Sequence, residues 1–321
     1  MKIALEVFGG LLVLFSLLPL IKTHYWWVRI FDFPRTQIAL LAFLFLGTYL
    51  WFFEPDQTLE WLYVFLLVGA ILVQAIFVLP FTPLYKVEAL ASEKQVPQNH
   101  FSFMIANVRM TNTSYDSFLR EVGRNDPDLL LINEPDNRWA RALSGLDDIY
   151  PYQIKCPQDN TYGMMFFSKV KVVEHQIHYL VKEDIPSFYI VLQLNSGLHF
   201  DLFTVHPEPP RVGNDTDTRE AELLIAGRMA QKTAYPSLVA GDLNDVAWSH
   251  TTRLFKRVSG LLDPRIGRGF FNTYNAKMPV FRYPLDHIFY HPSFRLVRLT
   301  RLPHINSDHF PMIVELNYEP T

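Results

Sequence analysis

The chain has 321 residues, with 29 Lys and Arg against 32 Asp and Glu, and its formal net charge is −3. This slight acidity argues against a nucleic-acid-binding protein, because neutralisation of phosphates by Lys and Arg dominates affinity for DNA and RNA. The only cysteine is Cys156, which excludes an intramolecular disulfide and a zinc site built from several cysteines.

Three apolar segments dominate the first quarter of the chain, and they are Ile3–Ile21, Gln37–Phe53 and Trp61–Leu84. At a rise of about 1.5 Å per residue, such segments roughly cross the hydrocarbon core of a bilayer. A cleavable signal peptide is the alternative for the first segment, although a basic start and a small-residue cleavage site are missing. Buried helices of a soluble protein are the alternative for all three. We predict a three-helix transmembrane domain over residues 1–85, a linker over 86–99 and a soluble domain over 100–321.

The charges beside these segments predict the orientation of a multi-pass cell-membrane protein. Residues 54–60, between the second and third segments, are acidic and hold no Lys or Arg. The basic residues lie in the first loop and after the third segment, and they are Lys22, Arg29, Arg35, Lys86 and Lys94. The positive-inside rule therefore places the soluble domain in the cytoplasm. Arg29 and Arg35 have two other interpretations, as ligands of lipid phosphates or as snorkelling anchors.

From residue 101 onward the pattern changes to short apolar runs that are separated by turns. The predicted strands are Phe101–Val108, Asp128–Ile132, Met164–Phe167, Tyr189–Leu194, His199–Thr204, Ser237–Ala240, His287–Tyr290 and Met312–Leu316. Helices are predicted over Ser114–Asn125 and Thr218–Thr233. Many strands with a few helices between them indicate an α/β sandwich of packed sheets flanked by helices.

Polar residues recur at the ends of these predicted strands. The strand-end residues are Asn107, Glu134, His206, Asp242, Asn244, Asp286, Asp308 and His309. Each taken alone is compatible with an ordinary turn or helix cap. Taken together, they predict one rim of a sheet on which a rigid scaffold holds polar side chains around a shared cleft.

The order of these motifs resembles the endonuclease/exonuclease/phosphatase superfamily. The matching pieces are Ile105–Arg109, Leu131–Glu134, Thr204–Pro207, Gly241–Asn244, Leu285–Phe289 and Ser307–Pro311. The resemblance covers about residues 99–318 and implies a four-layer sandwich of two packed mixed β-sheets flanked by helices. The three predicted spans precede this sandwich and lie outside the match.

The resemblance also implies a metal-dependent phosphoesterase with Mg²⁺ or Mn²⁺ as its cofactor. Glu134 resembles the residue that the superfamily uses as a metal ligand, and Asn107 and Asp308 would complete or support the metal shell. A sparse set of carboxylates suits Mg²⁺, which keeps several waters and binds substrate phosphate. Arg109 is a candidate for contact with the substrate phosphate.

The remaining motif residues would carry the proton transfers and position the reacting groups. Asp242 and Asn244 would orient the attacking water and the phosphate. His309 would bond a phosphate oxygen or transfer a proton, with Asp286 fixing its ring. His206 resembles the second histidine of the deoxyribonuclease and sphingomyelinase branches, a general acid for the leaving group.

Two features of the histidines leave alternatives open. His206 and His309 could instead be zinc ligands, although no third histidine stands at a helical spacing. Some deoxyribonuclease-type members orient the equivalent of His206 with a glutamate in an earlier strand. The corresponding stretch here, Tyr162–Ser168, holds no acid, so His206 must have another partner or none.

The expected substrate follows from the predicted membrane anchor. Tethering raises the effective concentration of lipid head groups and polyprenyl phosphates, so the lipid bilayer and a lipid-linked phosphate ester are the expected partners. No obligate protein partner is evident. The three-span arrangement also resembles the teicoplanin-resistance-associated membrane branch of the superfamily, which would place the domain outside the cytoplasm, against the charge pattern.

Two other functions remain open. One is a membrane-tethered nuclease, in which Arg109, Arg211, Arg219, Arg265 and Arg268 would form a surface that tracks phosphates. The other is an inactive phospholipid-binding module, against which the full set of motif residues argues.

Overall fold

The computed structural model describes residues 1–93 and 96–319. Lys94, one of the charges used to predict the orientation, lies outside the described residues. Three N-terminal stretches are long and apolar enough to cross a membrane: Lys2–Leu20, Arg35–Phe52 and Thr58–Phe81. They contain helices α1 (Lys2–Leu17), α3 (Arg35–Phe52) and α4 (Thr58–Val78), while the short α2 (Trp26–Arg29) lies between the first two.

The three candidate spans form an antiparallel bundle, and we call this bundle together with the first loop, residues 22–36, the membrane unit. Leu12, Ala42 and Leu67 pack together inside it, whereas large side chains such as Phe43 and Phe65 are exposed on its outside. Contiguous apolar surface of this kind is rare on soluble proteins. The predicted association with a membrane therefore agrees with the surface of the bundle.

The two ends of the bundle differ in what they contact. At one end Lys2 pairs with Glu60, and the hydroxyl of Tyr63 donates a 2.7 Å hydrogen bond to the carbonyl of Leu5. At the other end the first loop, residues 22–36, contacts the rest of the chain directly. The loop and the C-terminal domain thus lie at the same end of the bundle, as three spans require.

Two β-sheets form the centre of the C-terminal domain. The six-stranded sheet has the order β10-β11-β1-β2-β4-β3 and the five-stranded sheet the order β5-β6-β7-β8-β9. Their strands are β1 (His100–Asn107), β2 (Leu129–Asn133), β3 (Tyr152–Cys156), β4 (Met164–Ser168), β5 (Lys171–His178), β6 (Ser187–Gln193), β7 (His199–Thr204), β8 (Ser237–Asp242), β9 (Asp286–Tyr290), β10 (Phe294–Arg301) and β11 (Met312–Tyr318). Both sheets are mixed, because β1 pairs with β2 and β7 pairs with β8 in parallel while the other pairs are antiparallel.

Alternation of side chains along the strands gives each sheet two buried faces. In β1, Phe103 and Ile105 point into the core between the two sheets, whereas Met104 points to the opposite face. Helices α5 (Tyr115–Asn125) and α6 (Asn137–Ala142) cover that outer face of the six-stranded sheet.

Helices α7 (Asp217–Lys232) and α8 (His250–Ser259) cover the outer face of the five-stranded sheet. Leu223 of α7 and Phe255 of α8 are fully buried against it. The layers are therefore helix, sheet, sheet and helix, which confirms the predicted four-layer sandwich.

The membrane unit is packed tightly against this sandwich. Trp248 donates a 2.7 Å hydrogen bond from its indole nitrogen to the carbonyl of Asp32 and packs edge-on against Phe81. Glu88, in the predicted linker, pairs with Lys256 at 2.7 Å. The described part of the linker thus belongs to the surface of the sandwich and does not form a free tether.

Arg29 and Arg35 do not face lipid. Their side chains are buried at the junction, where Arg35 lies 2.7 Å from a carboxylate oxygen of Asp32. Arg29 lies 3.4 Å from Asp32 and 3.5 Å from Glu220. The interpretation of both residues as lipid-phosphate ligands or snorkelling anchors is therefore wrong, because both side chains are buried, with Arg29 joining the first loop to Glu220 of the sandwich and Arg35 joining it to Gln74 of α4.

Candidate active site

The predicted site residues meet at one rim, where strands of both sheets end. Asn107 ends β1, and Glu134 follows the neighbouring parallel strand β2. His206 follows β7, and Asp242 ends its parallel neighbour β8. Asp286 opens β9 directly opposite Asp242. The carboxyl ends of parallel strands share a rim, which explains why residues far apart in sequence come together.

The backbone at this rim adopts conformations that only a well-determined surrounding can hold. Glu134 and Asn244 have φ angles of 64° and 50°, in the left-handed region that costs free energy for non-glycine residues. Gly241 has a φ of 145°, and a Cβ there would overlap the carbonyl oxygen of Val205. A glycine before Asp242 is thus required for the close approach of β8 to the end of β7.

Asn107 connects the two sheets at the centre of the site. Its Nδ2 donates hydrogen bonds of 2.8 Å to Glu134 and 2.9 Å to Asp242, and its Oδ1 accepts one from the backbone N–H of Arg109 at 2.9 Å. The amide nitrogen of Asn107 therefore faces the carboxylates, and the side chain fixes both of them. Its predicted role in the metal shell is accordingly one of support.

His309 lies between two buried carboxylates. Its Nδ1 donates to Oδ2 of Asp286 at 2.8 Å, and its Nε2 lies 3.5 Å from Oδ2 of Asp242. Burial lowers the pKa of His309, but the charges of Asp286 and Asp242 outweigh burial and raise the pKa to about 10. The imidazolium form thus dominates at neutral pH, and both ring nitrogens carry protons.

His206 lies on the other side of Asp242, with its Nε2 3.9 Å from Oδ2 of that residue. Its buried Nδ1 has no hydrogen-bond partner among the described residues, which agrees with the missing acid in β4. Burial lowers the pKa of His206 below its usual value. Asp242 is therefore the carboxylate beside this ring, on its Nε2 side. The ring of Tyr162, 6.0 Å away between centroids, is its aromatic neighbour.

Asp308 and Arg109 form the solvent-facing part of the site. Their charged groups lie 3.6 Å apart, with 40% of the Arg109 side chain and 25% of the Asp308 side chain exposed. Two hydrogen bonds fix Asn244: its backbone N–H donates to Asp242 at 2.9 Å, and its Nδ2 donates to the carbonyl of Pro207 at 2.9 Å. The open side of the site thus carries a guanidinium that can reach a phosphate.

The donor set of the site fits a divalent cation. Burial raises the pKa of Glu134 and of Asp242, and the positive charge of His309 offsets only part of this. Oδ1 of Asp286 is buried without a hydrogen-bond partner in the described part of the chain. Asp242, Asp286 and His309 also bring ligand atoms within 4.8 Å of one another. A bound cation would compensate this concentration of buried negative charge.

Two groups of possible metal ligands lie at the site. One is Asp242, Asp286 and His309, and the hydrogen bond from Nδ1 of His309 to Asp286 suits both an oriented acid–base group and a histidine ligand. The other is Glu134 with Asp308, and the charges of Asp308 and His309 act in opposite directions on the pKa of Glu134. Glu134 and Asp308 as metal ligands stay a prediction, and so does the alternative of zinc at His206 and His309.

Two aromatic residues beside the site, Tyr274 and Tyr162, were not predicted. The ring of Tyr274 lies 5.0 Å from that of His309, and the two residues form a backbone bridge. Tyr162 adjoins His206. Both are in segments without regular secondary structure, where no sequence periodicity distinguishes them from ordinary loop aromatics.

The five arginines proposed to track nucleic-acid phosphates do not form one surface. Arg219 is buried, donating to the carbonyl of Asn244 at 2.7 Å. Arg265 is buried against Asp263 at 2.8 Å. Arg268 donates to the backbone carbonyls of Pro264 and Ala89. Only Arg109 and Arg211 keep substantially exposed side chains, so the predicted surface is wrong.

A sandwich of two mixed sheets with acidic residues and histidines at one rim defines a phosphoesterase- or nuclease-like fold. The sequence model of the Endonuclease/Exonuclease/phosphatase family matches residues 104–309. The chain belongs to this family, whose members are hydrolases, and the predicted resemblance is confirmed.

Solved structures show the same fold. Humanized D. rerio TDP2 with 14 mutations is 15% identical with a TM-score of 0.56, over 68% of this chain and 99% of that chain. The endonuclease/exonuclease/phosphatase from Bacteroides vulgatus is 15% identical with a TM-score of 0.56, over 68% of this chain and 99% of that chain. The human Nocturnin catalytic domain with bound sulfate anion is 17% identical with a TM-score of 0.56, over 73% of this chain and 97% of that chain. No curated protein sequence matches the chain.

Proposed function

We propose that the chain is a membrane-anchored, divalent-metal-dependent phosphoesterase whose substrate is the phosphate ester of a lipid or of another membrane-associated molecule. The observation that carries the proposal is the position of the site: the rim that gathers the candidate catalytic residues is also the rim against which the membrane unit packs.

The loop before β9 supports this proposal. Tyr274 at its start pairs with His309, and the carbonyl of Val280 accepts a 2.6 Å hydrogen bond from Gln37, in the first turn of α3. The apolar side chains at its tip, Met278, Val280 and Phe281, are exposed. We call residues 278–281 the apolar loop. It places exposed apolar surface beside both the site and the start of a membrane span.

The loop after β7 supports it independently. This loop begins at His206, and the backbone N–H of Trp26 donates to Asp215 at 3.1 Å. The N–H of Thr216 donates to the carbonyl of His24 at 2.9 Å. Two loops that border the site thus both contact the membrane unit, so the site opens close to the bilayer surface.

The residues of the site can perform phosphoester hydrolysis as follows. A divalent cation held by Glu134 and Asp308 would stabilise charge on the phosphoryl group. Asp242, adjacent to both histidines, would orient the attacking water and accept its proton. The imidazolium of His309 would donate a hydrogen bond to a non-bridging oxygen, as pre-organised donors do in water-poor sites. His206 and Asn244 would support the leaving oxygen and the phosphate.

A membrane-tethered nuclease is the second candidate. One structural neighbour, D. rerio TDP2, was solved with a single-stranded DNA product. The burial of Arg219 and Arg265 in ion pairs favours the lipid substrate, because an extended cationic surface for nucleic acid is missing from the described residues. Salt-sensitive DNA binding would support the nuclease, and lack of any turnover would support an inactive phospholipid-binding module.

The deciding experiment is hydrolysis by the detergent-purified full-length protein. The panel contains phospholipids, sphingomyelin, undecaprenyl (pyro)phosphate, plasmid DNA and a soluble bis-aryl phosphodiester, each with Mg²⁺, Mn²⁺ or EDTA. The isosteric variant Asp242→Asn serves as the control for contaminating hydrolases. We expect metal-dependent turnover of a lipid substrate that Asp242→Asn abolishes. Nicked DNA with intact lipids would replace the proposal by the nuclease.

A further inference from the structure

A cavity of about 500 Å³ lies at the junction of the membrane unit and the sandwich, outside the catalytic cluster. One wall is the C-terminal end of α4 and the turn that follows, with Ile76, Phe77 and Pro80. The opposite wall is α8, with Arg253 and Lys256. The cavity thus has an apolar wall from a candidate membrane span and a basic wall from the soluble domain.

The basic wall has more positive charge than its neighbours neutralise. Lys256 pairs with Glu88, but Lys86 and Arg253 form no ion pair with any described residue. The guanidinium of Arg253 lies 4.4 Å from the ring centroid of Phe77, and that of Arg35 lies 3.9 Å from the same ring. Asp32 neutralises Arg35. Arg253 donates from Nε to the carbonyl of Ser249 at 3.2 Å, and its terminal nitrogens have no acceptor among the described residues. Burial and neighbouring arginines lower the pKa of Arg253, and the negative charge of Asp32 offsets only part of this.

We propose that this cavity binds an anionic phospholipid of the bilayer, with Arg253 and Lys86 contacting the head-group phosphate and the acyl chain lying along Ile76 and Pro80. A guanidinium and an ammonium are the usual protein ligands of phosphate. The apolar wall continues the surface of a span, so the chain of a lipid reaches it without leaving the hydrocarbon. This site does not depend on the catalytic proposal.

The bound lipid would stabilise the junction. Ala247, which lines the cavity, follows Asn244 by three residues, and its neighbour Trp248 bonds Asp32 of the first loop. A lipid phosphate between α4 and α8 would join the membrane unit to the segment that leads out of the catalytic cluster. The occupant is a lipid rather than free phosphate, because the apolar lining includes Ile76, Phe77, Pro80 and Phe81 at the end of the third candidate span.

Titration of the full-length protein with phosphatidylglycerol in phosphatidylcholine nanodiscs tests the proposal. Retention of the lipid is counted by native mass spectrometry, and the thermal midpoint of the sandwich is followed by tryptophan fluorescence. The test variant is the pair Lys86→Gln and Arg253→Gln. The matched control is Lys22→Gln, a basic residue of the first loop that does not line the cavity. Inorganic phosphate forms a separate arm.

We expect phosphatidylglycerol to raise the midpoint of the wild type and of Lys22→Gln. The double variant should bind it about 30-fold more weakly, since each cation near an anionic head group contributes about fivefold. An equal response of the double variant, or no response of the wild type, would overturn the proposal, as would an equal response to inorganic phosphate. If the double variant folds poorly, Arg253→Lys, which keeps the charge, is compared instead. Its affinity for phosphatidylglycerol should lie within about threefold of that of Lys22→Gln. Turnover of the soluble phosphodiester is measured in parallel, so failure of the catalytic proposal is separately visible.

Discussion

Nδ1 of His309 lies 2.8 Å from Oδ2 of Asp286, and both side chains are buried at the rim of the five-stranded sheet. Asp286 opens β9, whereas His309 precedes β11 in the other sheet. The hydrogen bond thus joins the two sheets and fixes the direction in which Nε2 of His309 points, toward Asp242.

Asp286→Asn should lower kcat by about 100-fold with little change in KM, because the amide neither orients the His309 ring nor stabilises its charge. Removing the carboxylate also removes the main cause that raises the pKa of His309, so the alkaline limit of activity should move to lower pH. The measurement is the pH profile of soluble-phosphodiester turnover. Asp201→Asn, a buried carboxyl of β7 far from the catalytic cluster in the same sheet, is the control. An unchanged profile in Asp286→Asn would contradict the role.

Glu134→Gln should weaken metal activation specifically. The amide is isosteric but carries no charge, and a divalent cation prefers the carboxylate. The Mg²⁺ concentration for half-maximal turnover should rise by about tenfold, while saturating Mg²⁺ restores part of the rate. Glu121→Gln, a buried acid of α5, should leave the titration unchanged. A Glu134→Gln titration that matches the wild type would remove Glu134 from the metal site.

The strands with strong apolar patterns could be predicted from sequence, and the polar ones could not. Every residue of β4 is buried, and β4 was predicted. In β5 six of the eight side chains, such as Glu174 and His175, are exposed, because β5 is the edge of its sheet. With exposed side chains on both of its faces, β5 lacks the alternation from which a strand is predicted. The edge strands β3 and β10 of the other sheet were not predicted either, and neither were helices α6 and α8.

The candidate site could be predicted because its residues stand in short motifs at the ends of apolar runs. The junction could not be predicted, since Arg29 and Arg35 pair with Asp32 and Glu220 only in three dimensions.

The stability of the sandwich should fall as pH rises from about 4.5 to about 7, and Glu222 of α7 is the cause. Burial raises the pKa of Glu222 to about 7, and the 3.2 Å hydrogen bond from Ser187 offsets only part of this. The folded state therefore holds the proton more tightly than the unfolded state. Its contribution to stability is complete below the unfolded pKa of 4.5 and is lost as pH rises through about 7.

Glu222→Gln should remove this dependence, stabilising the protein at about pH 8 by roughly 2 kcal/mol relative to the wild type. Thermal midpoints at about pH 5 and about pH 8 give the comparison. Glu183→Gln, an exposed acid in the loop after β5, is the control. A Glu222→Gln midpoint that falls with pH as steeply as the wild type would contradict the assignment.

Trp248→Phe should loosen the junction between the membrane unit and the sandwich. The substitution keeps a ring against Phe81 but removes the donor to the carbonyl of Asp32, at a cost of about 1 kcal/mol in stability. Trp139→Phe is a matched control, because the indole N–H of Trp139 has no hydrogen-bond partner among the described residues. Thermal unfolding of the full-length proteins in detergent gives the measurement, and an equal loss in both variants would contradict the junction's dependence on this hydrogen bond.

The apolar loop should deliver lipid substrate to the site. Val280 and Phe281 are exposed beside the first turn of α3, where a bilayer surface would cover them. Replacing both by Ser should lower turnover of phospholipid in vesicles by about tenfold, because each buried apolar side chain contributes ~1 kcal/mol or more to interfacial binding. Turnover of the soluble phosphodiester should stay unchanged, since neither side chain touches the catalytic residues.

Val173→Ser, an exposed apolar residue on the edge strand β5, is the control. Equal losses on vesicles and on the soluble substrate would show that the substitutions damage the site itself, and no loss on either would show that the loop lies outside the bilayer surface.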